Sequence, residues 1–236
     1  MNLDLHIKIF CDGANLTDML SAYREGVVSG FTTNPTLMRK AGIIDYEVFA
    51  REVLAQIPDA PLSLEVFADD FQSMYAQAIK INGWGPNVYV KIPITNTAGD
   101  SAIPLIQRLN QEGVKVNATA ILTREQVEGL SRVLQPDVPS IVSIFAGRIA
   151  DTGREPGPIM RWAVEILRPC AAEVLWASPR EVLNIYQAQD CGCHIITVPP
   201  DMLAKLASMH KKDLAELSRE TVLMFHTDAT RAGERR

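Results

Sequence analysis

V-Y-V-K-I-P-I (88–94), G-D-S-A-I-P-L-I-Q-R-L-N-Q-E-G (99–113) and K-V-N-A-T-A-I (115–121) follow one another as an apolar run of strand length, a segment of helical periodicity and a second apolar run. That is a strand–helix–strand unit, and it recurs in both directions. Upstream lie I-K-I-F-C-D (7–12), G-F-T-T-N (30–34) and L-S-L-E-V-F (62–67); downstream lie S-I-V-S-I-F-A (140–146), E-V-L-W-A-S (173–178) and C-H-I-I-T-V (193–198). Helical periodicity fills the gaps, as in L-T-D-M-L-S-A-Y-R-E-G and P-I-M-R-W-A-V-E-I-L-R-P. Eight β/α units in 236 residues, with no linker-like stretch, predict an α/β fold: one (β/α)8 TIM barrel domain over 1–236. Residues 211–236 read as an extra C-terminal helix and tail, with Leu214, Leu217, Val222 and Phe225 offering an apolar face to a barrel flank or a neighbouring subunit. An open doubly wound sheet is disfavoured, because no strand is followed by G-x-G-x-x-G or a P-loop lysine.

Composition narrows the function. Hydrophobic residues are 47% and charged residues 22%, too apolar for a disordered chain. With 23 basic against 28 acidic residues the net charge is −5, so a nucleic acid is not an expected partner. No apolar window reaches spanning length and M-N-L-D-L-H-I-K-I-F reads as a first strand, which predicts a soluble cytoplasmic protein with no membrane partner. Four cysteines are too few for a disulfide scaffold, C-G-C (191–193) is too tight for usual zinc spacing, and all four read as reduced thiols.

Side chains alternate along a barrel strand, one parity facing the helices and the other the interior. Val88, Val90, Ile92 and Ile94 make the helix-facing set, which turns Lys91 and Tyr89 inward. The same reading places Glu65, Asn117, Thr119, Ser143 and Phe145 inside. Asp12, Asn34 and Ser178 close strands one, two and seven, at the end where barrel enzymes carry their chemistry. A lysine stripped of water loses part of its preference for the charged form and becomes a nucleophile toward carbonyls, and Asp12 and Glu65 can shuttle its protons. The plainer alternatives are a Lys91–Glu65 pair that only neutralises itself, Asp12 as a helix cap near Leu16, and Asn34 as turn chemistry before Pro35. S-P-R-E (178–181) reads as a helix start with Ser178 as N-cap and Arg180 beside it, and Arg148 follows strand six behind Gly147, so the two arginines are expected to clamp one phosphate. His194 reads as a packed or exposed strand residue rather than a ligand, and Trp84, Trp162 and Trp176 as core or interface packing, although Trp176 shares the parity of Ser178 and is a candidate for the site wall.

F-T-T-N-P-T (31–36), V-K-I-P-I-T (90–95), N-A-T-A-I (117–121), S-I-F-A-G-R-I-A-D-T-G (143–153) and A-S-P-R (177–180) together resemble the transaldolase family, in particular the short branch that also contains fructose-6-phosphate aldolases. The resemblance implies Lys91 as Schiff-base lysine, Asp12 as general acid/base, Glu65 as a carboxylate acting through a water, and Thr119 as the residue that positions that water. It implies Thr33, Asn34, Asn117, Ser143 and Phe145 around the substrate, and Arg148, Ser178 and Arg180 around its phosphate. The implied reaction moves a dihydroxyacetone unit between sedoheptulose 7-phosphate and glyceraldehyde 3-phosphate in the pentose phosphate pathway, with an aldolase releasing free dihydroxyacetone as the alternative. Glu65, Phe145 and Arg180 are similar to transaldolases, where aldolases tend to have Gln, Tyr and Lys. No cofactor and no metal are implied, because an iminium on Lys91 is itself the electron sink. The implied assembly is a homo-oligomer, pentamer-based and commonly a decamer. Gly13 departs from the family, which usually has Thr or Ser after the strand-one aspartate.

Overall fold

The computed structural model describes residues 5–233. Its eight strands are β1 (Lys8–Asp12), β2 (Gly30–Thr32), β3 (Leu62–Glu65), β4 (Val88–Pro93), β5 (Val116–Ile121), β6 (Ser140–Ile144), β7 (Ala172–Trp176) and β8 (Ile195–Val198). Each pairs in parallel with the next, and β8 closes on β1 through Lys8↔Ile195 and Phe10↔Thr197, so the expected closed barrel is the observed one. The helices that return the chain are α1 (Leu16–Arg24), α2 (Pro35–Lys40), α3 (Tyr46–Gln56), α4 (Phe71–Asn82), α5 (Ile103–Gln111), α6 (Arg124–Ser131), α7 (Ala146–Asp151), α8 (Gly157–Leu167), α9 (Leu183–Asp190), α10 (Pro200–Met209) and α11 (Leu214–Gly233).

Local chemistry places the helix starts. Asn15, Asn34, Asp45, Asp70 and Thr123 each accept the backbone N–H three residues on, with Gln126 completing a capping box at α6. Each such cap is worth about 1 kcal/mol. Asn15 caps α1, so Asp12 is not needed for that task. Two helices, α2 and α7, hold only six residues each, too short for a 3.6-residue period to show. They cut short two expected strands: β2 ends at Thr32 and β6 at Ile144.

Apolar residues divide between two layers. The larger lies between barrel and helices and takes one strand parity: Ile9 and Cys11, Leu62 and Leu64, Val88, Val90 and Ile92, Val142 and Ile144. The smaller fills the barrel interior with Phe10, Ile141, Leu175, Ala177 and Ile195, packed by Tyr89 and Phe145, and Leu175, Ala177 and Phe145 reach the cavity at the mouth. The inward parity turns polar toward the C-terminal ends, where Asp12, Glu65, Lys91 and Thr119 face a cavity. Trp176 belongs to the outer layer with Val174, which removes it from the site wall. His194 lies just before β8 and is exposed, with its Nδ1 accepting the Val174 N–H at 3.0 Å.

Outside the barrel, α11 leaves Leu214, Val222, Leu223, Met224 and Phe225 more than half exposed in the single chain. Among the described residues no helix is long and apolar enough to cross a membrane.

Candidate active site

Strand register sets the site. Glu65 pairs with Lys91 and Lys91 with Asn117, so three polar side chains stand in one row across β3, β4 and β5. Asp12 pairs with Thr32 across β1 and β2. Over this layer opens a cavity of about 440 Å³ at the C-terminal mouth, lined by Asp12, Asn34, Glu65, Lys91, Thr119, Ser143, Phe145, Arg148 and Ser178. Nine of the twelve expected site residues are therefore brought together there.

Lys91 is 6% exposed. Its ammonium donates to the Thr33 carbonyl oxygen at 2.7 Å and pairs with Glu65 Oε2 at 3.1 Å. The amine is thus aimed by one backbone oxygen and one carboxylate, with a third wall left to the cavity. Asp12 accepts from Thr32 Oγ1 at 2.7 Å. Burial holds its carboxyl above the usual carboxylate range, while the Lys91 charge and the Thr32 hydrogen bond pull the other way. Burial of this kind suits a group that must exchange a proton near neutrality.

The Thr119 hydroxyl is buried and has no hydrogen-bond partner among the described residues, so it is free for a substrate hydroxyl or a water. Asn34 performs two tasks: its Oδ1 accepts the Leu37 N–H at 3.0 Å as the cap of α2, and the residue also lines the cavity. The Arg148 guanidinium lies 5.3 Å from the Phe145 ring centroid at the opposite wall.

Four expectations need correction. Asn117 is fully buried outside the cavity lining; it donates to Ser63 Oγ at 3.0 Å and accepts from Ser143 Oγ at 2.7 Å, so its effect on a ligand passes through Ser143. Thr33 offers its carbonyl to Lys91 while its side chain has outward parity; the hydroxyl in the cavity is that of Thr32. Ser178 caps no helix, because α9 begins at Leu183 after Val182, and Ser178 sits instead in the left-handed region at φ 57°. Nor does Arg180 reach the cavity: its Nε donates to Asp151 Oδ1 at 3.1 Å and its terminal nitrogen pairs with Asp151 Oδ2.

Ala120, at φ 61°, is the second left-handed non-glycine residue on the cavity wall. It sits where the β5–β6 register shifts between Ala118 and Ile121, which sends Ile121 into the outer layer. Such conformations cost about 1–3 kcal/mol each and gather at working sites.

The alternation that turned Lys91 inward could also have found Thr32 and Thr197, which line the cavity and were missed. Tyr46 was missed without any such signal: from α3 it donates to the Glu65 backbone carbonyl at 3.0 Å, a contact across 19 residues. At Gly13 a Cβ would meet only Pro200 Cγ at 3.9 Å, and no left-handed backbone requires glycine there. Gly13→Ala is accordingly expected to stabilise the fold by about 0.4–1 kcal/mol, read as a higher thermal midpoint.

Fold and site together define a parallel barrel that holds a buried lysine between carboxylates at its C-terminal mouth. The chain belongs to the transaldolase/fructose-6-phosphate aldolase family, whose model matches residues 9–234. A probable transaldolase of Dehalococcoides mccartyi is 36% identical over 202 residues, covering 85% of this chain and 90% of that protein. One from Heliobacterium modesticaldum is 36% identical over 210 residues, covering 88% and 93%. Among solved structures, KGPDC from Streptococcus mutans superposes with a TM-score of 0.56 at 10% identity, covering 82% of this chain and 87% of that one. Dihydrodipicolinate synthase from Rhodopseudomonas palustris gives 0.55 at 15% identity, covering 91% and 78%; at such identities the likeness is one of fold.

Proposed function

We propose that the protein is a transaldolase that carries a dihydroxyacetone unit on Lys91. The observation that carries this reading is the Lys91 amine, held by Glu65 and the Thr33 carbonyl in a cavity shared with Asp12. Lys91 attacks the C2 carbonyl of a ketose phosphate, and loss of water leaves an iminium. Asp12 takes the C4 hydroxyl proton as the C3–C4 bond breaks, the electron pair is stored as an enamine on Lys91, and an aldose phosphate departs. The enamine then attacks an acceptor aldehyde, Asp12 returns the proton, and hydrolysis frees Lys91. Glu65, paired with the amine, and Thr119, on the wall of the same cavity, handle the water lost and regained. Arg148 takes the phosphate; Arg180 joins it only by leaving Asp151.

Phe145 favours transfer over release, since it lines the cavity without a hydroxyl that could deliver a proton or water to the enamine. The test supplies fructose 6-phosphate with and without erythrose 4-phosphate. Glyceraldehyde 3-phosphate forming only with the acceptor, together with a borohydride-trapped adduct at Lys91, is the expected result; free dihydroxyacetone without acceptor makes the protein an aldolase instead. The unbridged Cys11, Cys170, Cys191 and Cys193 suit a reducing cytoplasm.

The same proposal includes self-association through α11, whose exposed Val222, Leu223, Met224 and Phe225 are costly to leave in water. Sedimentation is expected to show an oligomer, and Leu223→Asp with Phe225→Asp to lower its mass; a wild-type monomer overturns this part.

A further inference from the structure

Asp12 ends a chain of two hydroxyls that the reaction scheme above does not use. Thr32 Oγ1 is 2.7 Å from Asp12 Oδ1 and 2.5 Å from Thr197 Oγ1. The three residues come from β2, β1 and β8, neighbours in the barrel, and all three line the cavity. Thr32 and Thr197 are 3% and 6% exposed, so each hydroxyl is held mainly by the other and by Asp12.

Proton counting limits how this chain can be wired. Thr32 has one proton. A carboxylate at Asp12 has none, so Thr32 must donate to it, and Thr197 must then donate to Thr32. When Asp12 is protonated at Oδ1 the chain can reverse: Asp12 donates to Thr32, Thr32 to Thr197, and the Thr197 proton turns toward the cavity. Hydroxyl rotation suffices for the reversal, and no proton crosses between residues. The two arrangements are not equal in energy. Hydrogen bonds ending on a charge are stronger, and a donor behind Thr32 polarises the bond it makes to the carboxylate.

We propose that Thr197, acting through Thr32, is the positioning residue that keeps Asp12 in the form able to accept the substrate hydroxyl's proton. The inference rests on the reading of Asp12 as acid/base. It gives the aspartate the hydroxyl support that Gly13 cannot supply, and it opposes the burial that favours the neutral acid. The other charged groups around the cavity are Lys91 from β4, its partner Glu65 from β3 and Arg148 from α7. Cys11, next to Asp12 on β1, is held neutral, its thiol pushed up to about 12 by burial first and by Asp12 second. A change confined to Thr197 leaves all of these in place.

The experiment follows the Asp12 carboxyl by carbon NMR in the full-length protein, with Asp12→Asn to assign its signal. Thr197→Val keeps the shape and removes the hydroxyl, whereas Thr197→Ser keeps the hydroxyl. In the valine variant the carboxyl is expected to titrate at higher pH than in wild type, and in the serine variant to stay near wild type. The pH profile of kcat/KM should follow, with a loss of roughly fivefold, the worth of one hydrogen bond, concentrated on the acidic limb and little loss above it. An unmoved or lowered titration in the valine variant overturns the proposal, as does an equal change in the serine variant or a loss uniform across pH. If the valine variant fails to fold, Thr197→Ala against Thr197→Ser makes the same comparison. If the wild type turns over no substrate, the functional reading fails, while the carboxyl titration still decides the role of Thr197.

Discussion

Lys91→Met is expected to remove turnover by on the order of 10⁴-fold or more, and the borohydride-trapped adduct with it, in a protein that still folds. Methionine fills nearly the same volume in the barrel but brings no amine, so the covalent route is closed while the packing is kept. Stability pays a separate cost. Lys91 is paired with Glu65 at 3.1 Å and hydrogen-bonded to the Thr33 carbonyl, and the variant leaves both oxygens without their cation. Breaking a buried pair costs about 3–5 kcal/mol, and the low end applies here because Glu65 opens onto the cavity. Adding Glu65→Gln separates the two effects: the double variant is expected to regain most of the stability and none of the turnover. Thermal unfolding beside the coupled assay reads both. If Lys91 only neutralised Glu65, the double variant would be as active as it is stable.

How much of this was legible depends on whether a contact is local. The barrel could be read because eight strands carry apolar residues at one parity, and the same parity turned Lys91, Glu65, Thr119 and Ser143 into the cavity. Reach into the cavity is harder to read. Asn117 has inward parity and pairs in register with Lys91, yet it is fully buried outside the cavity lining and reaches the ligand space only through Ser143. In T-T (32–33) two adjacent hydroxyls compete, and the family pattern favoured Thr33 where alternation selects Thr32. The S-P-R-E segment misled for a non-local reason. It carries every signal of a helix start, but Ser178 turns left-handed against α7, and Asp151, distant by 29 residues, holds Arg180. No spacing rule reports a partner that far away. The six-residue α2 and α7 were hidden for the opposite reason, being too short to show a period.

Gly147→Ala is expected to damage fold and site together, because Gly147 is where α7 meets the turn after β7. Its N–H donates to the Ala177 carbonyl at 3.3 Å. A Cβ there would overlap the Ser178 carbonyl oxygen and stand 2.6 Å from the Ser178 carbonyl carbon. Both atoms are backbone, so no side-chain rotation relieves the clash, and either the first turn of α7 or the left-handed turn at Ser178 must move. The cost is expected to exceed about 3 kcal/mol, the range of severe overpacking, which lowers the thermal midpoint by roughly 2–4 °C for each kcal/mol. Catalysis suffers through position. Phe145 precedes α7, Arg148 follows Gly147 directly, and Ser178 is the residue displaced; all three line the cavity. A shift of about 1 Å at such a wall costs on the order of 100-fold in kcat/KM. Because Lys91, Glu65 and Asp12 stand on other strands, borohydride should still trap an adduct at Lys91 with an unphosphorylated ketose. Loss of phosphate-dependent rate with retention of trapping separates the α7 wall from the lysine centre. Wild-type stability and rate in Gly147→Ala would show that α7 does not rest on the Ser178 turn at all.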